Sequence, residues 1–440
     1  MTENGIETEQ GAPISAGRGL LALSPVVVFL LLYVAVSLIL DDFYKMPISV
    51  ALVMSSMWAV VVYRGRPLLK RIETFSRAAG HDNILYMIWV FILAGAFANL
   101  AKEIGAVDAT VSLALQVFPP SLVVPTIFFA ACFISMSIGT SVGTVVALTP
   151  LAVQIAETAG ASVPFYVAVV LGGAFFGDNL SFISDTTIAA TRTQGCDMSD
   201  KFKANLWIAL PAAVFTLGLY IFMGIGTPTE TIATSATDAW LILPYLLVII
   251  TAIIGINVTI VLTLGILSAI TLGVCKGFNV IDMASFAGTG IESMGNLIII
   301  TLLAAGMLGL IKAAGGIRYL LQSMTGHVSG RRGGQAIIAV LVAIVNLCTA
   351  NNTVAIITVG GISRDISKRF RIDPRKTASL LDSTSCIVQC LIPYGAQTLL
   401  ATGLAGISPG APFPYLYYPW ALAVMVILSI VFLFPKRLSK

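Results

Sequence analysis

Charge is scarce in this chain. Asp, Glu, Lys and Arg make up 10% of its 440 residues, with a net charge of +4. Soluble domains carry about 25% charged residues. With 57% hydrophobic residues and a mean hydropathy of +0.95, the chain reads as an integral membrane protein. Histidine is scarcer still: His81 and His327 are the whole complement, both in polar connections. The six cysteines form no CxxC pair, and most lie in apolar runs as packing residues. Cys386 and Cys390 share a helix face, but without histidines nearby they do not make a metal site. No Gly-rich phosphate loop, GxSxG or HExxH is present, so the sequence supports no ATPase, no intramembrane hydrolase and no other enzyme. Basic runs beside apolar ones read as orientation signals, not as nucleic-acid patches.

What is present is a series of apolar runs of about 17–21 residues, the length of a spanning helix rather than a barrel strand. Residues 1–19 are acidic and polar, and read as a disordered cytoplasmic tail before a retained first span. Spans are expected at 20–40, 47–63, 84–100 and 205–225, then at 240–255, 258–274, 296–310 and 415–434. Arg64, Arg66, Lys70, Arg71 and Arg77 place the second connection inside, and Asp41, Asp42 and Lys45 fall outside. Short interfacial pieces are expected at 111–118 and within 315–334. The apolar stretch 121–157 is interrupted by SIGTSVGT at 137–144. One helix of that length would be about 55 Å long against a hydrocarbon core of about 30 Å, so a re-entrant hairpin fits better. Residues 163–190 then cross inward, followed by Arg192, Lys201 and Lys203 as an inside loop. The stretch 226–239 carries Glu230 and Asp238 but no Lys or Arg, and reads as an external linker.

The second half repeats the plan. A hairpin at 335–362 is interrupted by CTANNT at 348–353, and the basic run from Arg364 to Lys376 follows inside. A helix at 377–402 is interrupted at DSTS (382–385) and at LIPYGAQT (391–398); residues 435–440 end inside. The expected fold is all-α: about ten transmembrane helices plus two re-entrant hairpins. They form an N-terminal repeat, 20–225, and a C-terminal repeat, 240–434, of inverted topology. Short matching words lie at an offset of 209 residues. Inverted repeats with broken helices in matching places mark secondary transporters whose site lies near the midplane.

The stretch GDNLSFISDTT, 177–187, interrupts a span with Asp178, Asn179, Ser181, Ser184, Asp185, Thr186 and Thr187. Charged groups at that depth cost roughly 2.5–3.5 kcal/mol each, and are tolerated where they line a cavity or bind something. Asp178, Asp185 and Asp382 are the aspartates expected at membrane depth, with no Lys or Arg beside them. Freed carbonyls and hydroxyls suit Na⁺, and an unpartnered carboxylate can take either Na⁺ or a proton. The other candidate ion or substrate ligands are Thr140, Ser141, Thr144, Asn351, Asn352, Thr353, Ser383, Ser385, Gln389, Tyr394 and Gln397. Asp178, Asp185 and Asn352 are the candidates for Na⁺ itself. Asp185 could instead cap the half-helix that begins at Thr186, and Ser and Thr in such helices often bond back to their own backbone.

GDNLSFISDTT and the following DMSDKFKANL, 197–206, resemble the signature of the NhaC family of Na⁺/H⁺ antiporters. DPRKTASLLDSTSCIVQCLIPYGAQ, 373–397, is similar to its C-terminal partner. The resemblance covers about residues 20–434 and implies the ion-transporter layout: hairpin tips at 139–144 and 350–353, broken helices meeting at a central site, and a homodimer. Two positions depart: Phe182 stands where the family often has Pro, and no His accompanies Lys201–Lys203. The resemblance implies no cofactor. It implies Na⁺ and H⁺ exchange by alternating access in the cytoplasmic membrane of a prokaryote; the Lys and Arg distribution puts both termini inside. The alternative is Na⁺- or H⁺-coupled transport of an amino acid or small carboxylate.

Overall fold

In lipid every backbone N–H and C=O must find a partner within the chain, which favours helices. The computed structural model describes residues 14–39, 47–110, 119–138, 140–181, 184–224, 239–254, 256–324 and 330–435, and among them every regular element is a helix. The tail 1–13, the acidic connection 40–46, the interfacial piece 111–118, Phe182, most of the linker 226–239 and the terminus 436–440 lie outside the described residues.

In the N-terminal half the helices are α1 (Ala16–Ile39), α2 (Ile48–Val62), α3 (Leu68–Ala79), α4 (Asp82–Glu103), α5 (Pro120–Ile138), α6 (Ser141–Thr158), α7 (Val163–Leu180), α8 (Asp185–Gln194) and α9 (Met198–Gly224). In the C-terminal half they are α10 (Leu243–Ile253), α11 (Val258–Cys275), α12 (Val280–Ser293), α13 (Gly295–Ala313), α14 (Gly316–Met324), α15 (Gly330–Thr349), α16 (Asn352–Phe370), α17 (Pro374–Leu391), α18 (Ala396–Leu404) and α19 (Tyr417–Val431). Eight helical stretches among the described residues are long and apolar enough to cross a membrane, and five shorter apolar helices accompany them.

Two connections are helices of their own. The basic segment after α2 becomes the amphipathic α3, whose Phe75 ring sits against Gly306 of α13, where a Cβ would come within 2.4 Å of it. The segment after α11 becomes α12, started by a capping box in which Asn279 and Asp282 exchange hydrogen bonds. α12 crosses α4 where Gly95 and Gly290 meet; a Cβ on either would lie 2.2–2.3 Å from the other's carbonyl oxygen.

Four breaks organise the centre. α5 and α6 are joined across 139–140, and α15 and α16 across 350–351. α7 ends at Leu180 and α8 begins at Asp185, and α17 breaks from α18 at 392–395. The N-cap positions Thr140 and Asn351, and likewise Ser184 and Gly395, are separated by 211 residues. The offset is therefore 211 rather than 209: chemically similar words are a looser ruler than helix ends. One contact repeats at that spacing. Ser135 Oγ donates to the Ala174 carbonyl at 2.5 Å, and Asn346 Nδ2 donates to the Ser385 carbonyl at 2.7 Å. The first is permitted by Gly177, where a Cβ would stand 2.1 Å from Ser135 Oγ.

The DSTS stretch, 382–385, is not an interruption. It lies within α17, wholly or nearly buried, and Ser385 Oγ bonds back to the Asp382 carbonyl at 2.9 Å. Hydroxyls satisfied in this way leave the helix intact. The short half-helices exchange places: α8 packs on α16, and α18 packs on α6. Each half thus completes the hairpin of the other.

Candidate functional site

Helix N-termini present unpaired N–H groups that attract anions. At the start of α6, Thr140 makes no side-chain cap. The cap comes from another helix: Asp178 Oδ1 accepts from Ser141 N–H at 3.1 Å, and Oδ2 accepts from Ser141 Oγ–H at 2.6 Å. Asp178 and Ser141 are both buried, and Asp178 forms no ion pair among the described residues. At the start of α16 the cap is local, with Asn351 Oδ1 accepting from Val354 N–H at 2.9 Å.

A polar chain runs from this carboxylate into the other half. Gln397 Nε2 donates to Ser141 Oγ at 3.0 Å, and Gln389 Nε2 donates to both Gln397 Oε1 and the Ala350 carbonyl at 3.0 Å. Ala350, at the break between α15 and α16, has φ +49°. Both hairpin tips and both broken helices are therefore connected through Asp178, Ser141, Gln397, Gln389 and Ala350.

A second group gathers around the break after α7. Ser184, not Asp185, caps α8: its Oγ accepts from Thr187 N–H at 3.3 Å. Ser184 Oγ–H also reaches the Asp178 carbonyl at 3.1 Å, and Thr187 Oγ–H reaches the Ser181 carbonyl at 2.9 Å. Thr186 Oγ1 lies 3.5 Å from the Asp178 carbonyl. Asp185 is the first residue of α8 and is exposed. Asn179 donates to the Phe175 carbonyl and to Tyr418 Oη, while its Oδ1 has no hydrogen-bond partner.

The expectation that no Lys or Arg accompanies the aspartates is overturned at Asp382. Lys201, assigned from sequence to an inside loop, lies in α9 and is wholly buried, with Nζ 2.8 Å from Asp382 Oδ2. It also donates to the Asn179 carbonyl and to Thr187 Oγ1. Asn205, one helical turn later, donates to the Asn179 carbonyl at 2.9 Å and to Asp382 Oδ2 at 2.7 Å, and Ser383 Oγ lies 3.4 Å from Asn205 Oδ1. Lys376, counted as an orientation signal, is buried too, between Ser429 Oγ and the Phe434 carbonyl. Sequence reasoning missed Lys201 and Asn205 because positive charge at a span boundary was assigned to water. Their spacing of four residues, which puts a Lys and an Asn on one face of α9, was the available signal.

The other expected residues are more peripheral. Thr144 bonds back to the Thr140 carbonyl at 3.4 Å. Asn352 Oδ1 accepts from Thr353 N–H at 3.0 Å, and its Nδ2 is unpaired. Tyr394 donates to the Leu347 carbonyl at 2.7 Å, tying the α17 break to α15.

The profile of the Na⁺/H⁺ antiporter family matches the chain over residues 14–225 and again over 226–436. The chain is 22% identical to the malate-2H(+)/Na(+)-lactate antiporter of Bacillus subtilis (strain 168), over 93% of its own length and 94% of that protein. It is 24% identical to the Na(+)/H(+) antiporter NhaC of the same organism, covering 81% of this chain and 86% of that one. The crystal structure of the Alcanivorax borkumensis YdaH transporter aligns at a TM-score of 0.37 and 15% identity, over 94% of this chain and 98% of that one.

Proposed function

The chain belongs to the Na⁺/H⁺ antiporter family, and from that premise we infer that Asp178 is the carboxylate at which Na⁺ and protons compete. The chain is a multi-pass membrane protein and a secondary transporter of the Na⁺/H⁺ antiporter kind. The reading of its centre rests on one observation: a buried carboxylate with no cationic partner among the described residues caps the hairpin helix α6 through Ser141. While ionised, Asp178 is drawn to the N–H and hydroxyl of Ser141 and to the positive end of α6. A proton or a Na⁺ on Asp178 weakens that attraction. Occupancy then biases the position of the hairpin tip and, through Gln397 and Gln389, of the second tip, which alternating access requires.

Na⁺ takes oxygen ligands, and Asn179, next in sequence to Asp178, has a buried Oδ1 with no hydrogen-bond partner. Asn352 and Asp185 complete the proposed set, Asp185 as the exposed carboxylate that meets the arriving ion. We place the protein in the cytoplasmic membrane of a prokaryote as a homodimer, with both termini inside on the strength of its Lys and Arg distribution.

Reconstituted protein with an imposed Na⁺ gradient and a pH dye tests this. Protons should move against Na⁺ in wild type. A gradient that moves no protons removes the reading. The relative named as a malate-2H(+)/Na(+)-lactate antiporter supports a second reading, in which the N-termini of α8 and α18 hold a small carboxylate. Na⁺-driven uptake of labelled lactate or malate would favour it.

A further inference from the structure

The Lys201 ammonium carries three protons, and three oxygens surround it: Asp382 Oδ2 at 2.8 Å, the Asn179 carbonyl at 2.9 Å and Thr187 Oγ1 at 2.7 Å. The Asn179 carbonyl lies in the last turn of α7, where the helix offers it no partner. A carboxylate, a freed carbonyl and a hydroxyl form the donor set that a hard cation such as Na⁺ takes. Four helices contribute: α7, α8 and α9 from one half and α17 from the other. Asn205 Nδ2 bridges two of the same oxygens and holds them at that spacing.

We propose that Lys201 is a tethered cation, its ammonium occupying the cation position at Asp382, so that Asp382 is closed to Na⁺ and exchange is confined to Asp178. Among the described residues Asp178 and Asp382 are the buried carboxylates, and Lys201 divides their roles. One is free to exchange its counter-ion; the other carries a permanent one that also fastens the two broken helices together. The proposal rests on the antiporter reading above. Lys201 acts as a positioning residue: it touches no transported ion.

The test uses the full chain, purified and reconstituted, and reads the Na⁺ dependence of thermal stability and of proton flux. Lys201→Met keeps the unbranched stem of the side chain, one atom shorter, and removes its charge, leaving the cage open beside an uncompensated carboxylate. Its stability should rise more steeply with Na⁺ than that of wild type, as a second ion enters. Adding Asp382→Asn should return the steepness to that of wild type. A Lys201→Met protein that folds with the wild-type Na⁺ dependence overturns the proposal. If Lys201→Met does not accumulate, the neutral pair Lys201→Met/Asp382→Asn decides. Wild-type steepness supports the tethered cation; a shallower dependence makes Asp382 an exchanging carboxylate and overturns it. A wild type that ignores Na⁺ in both measurements removes the antiporter reading instead. In that case a Na⁺ response gained by Lys201→Met still supports the tethered cation, and no gain refutes it.

Discussion

Lys201 and Asp382 form a wholly buried ion pair, Nζ to Oδ2 at 2.8 Å, across the boundary between the two halves of the chain. Removing one member of such a pair strands a charge away from water, at a cost of about 3–5 kcal/mol, whereas replacing both by neutral groups is often close to neutral. In Na⁺-free buffer Lys201→Ala or Asp382→Ala should therefore lower the unfolding temperature far more than Lys201→Met/Asp382→Asn. Equal losses in single and double variants would mean that the two side chains are not coupled.

Asp178→Asn should fold and lose Na⁺-driven proton movement, because an amide cannot exchange a proton for Na⁺. Ser141→Ala should shift the half-saturating Na⁺ concentration, since Asp178 Oδ2 and Gln397 Nε2 lose their shared partner. Leaving such buried groups unpaired costs about 1–3 kcal/mol. Unaltered Na⁺ dependence in Ser141→Ala would separate the hairpin tip from ion binding.

Ser184 and Asp185 are neighbours with different duties. Ser184→Ala should destabilise α8 by about 1 kcal/mol, the usual worth of a side-chain N-cap. Asp185→Asn, at an exposed position, should leave stability within about 0.5 kcal/mol while lowering coupled flux. Thermal unfolding and proteoliposome flux measured together distinguish the two. Full flux in Asp185→Asn would leave Asp185 without a coupling role.

Close helix packing makes a sharp glycine contrast. Gly177→Ala would set a Cβ 2.1 Å from Ser135 Oγ and 2.5 Å from the Ser135 backbone, so α5 must move away from α7. A loss of about 1–3 kcal/mol is expected for such overpacking. Gly218→Ala, in α9 with nothing within 4 Å, should be neutral or slightly stabilising. Similar unfolding temperatures for the two variants would contradict the packing described.

Asp373 caps α17, its Oδ1 accepting from Arg375 N–H at 2.8 Å while the Arg375 guanidinium pairs with both carboxylate oxygens. Burial pushes this carboxyl up, but the hydrogen bonds and charge of Arg375 prevail and hold it below the usual carboxylate range. A lowered folded-state value means the contribution is full above the unfolded carboxylate range and is lost as pH falls through the folded value. Wild type and Asp373→Ala should thus differ by about 1 kcal/mol at neutral pH and converge in strong acid. A gap that persists in acid would assign the effect to something other than the carboxylate.

Much of the architecture was legible because lipid imposes it. Apolar runs of spanning length must be helices, and polar residues such as Asp178, Asn351 and Gln397 inside them must be partnered. The places where helices break follow from Gly, Ser, Thr and Asn in otherwise apolar stretches. The DSTS stretch was misread because a hydroxyl can either end a helix or bond back to it, and composition does not distinguish the two.

The sequence by itself determined the fold class, the approximate positions of the breaks, and Asp178 as a carboxylate within an apolar stretch. Tertiary structure decided what each aspartate faces. Asp178 meets the N-terminus of a hairpin helix 37 residues earlier in the chain, and Asp382 meets a lysine 181 residues earlier. Partners that distant leave no local signal. Whether a buried charge is free or neutralised depends on which helices cross beside it, and that is a property of packing rather than of any stretch of residues.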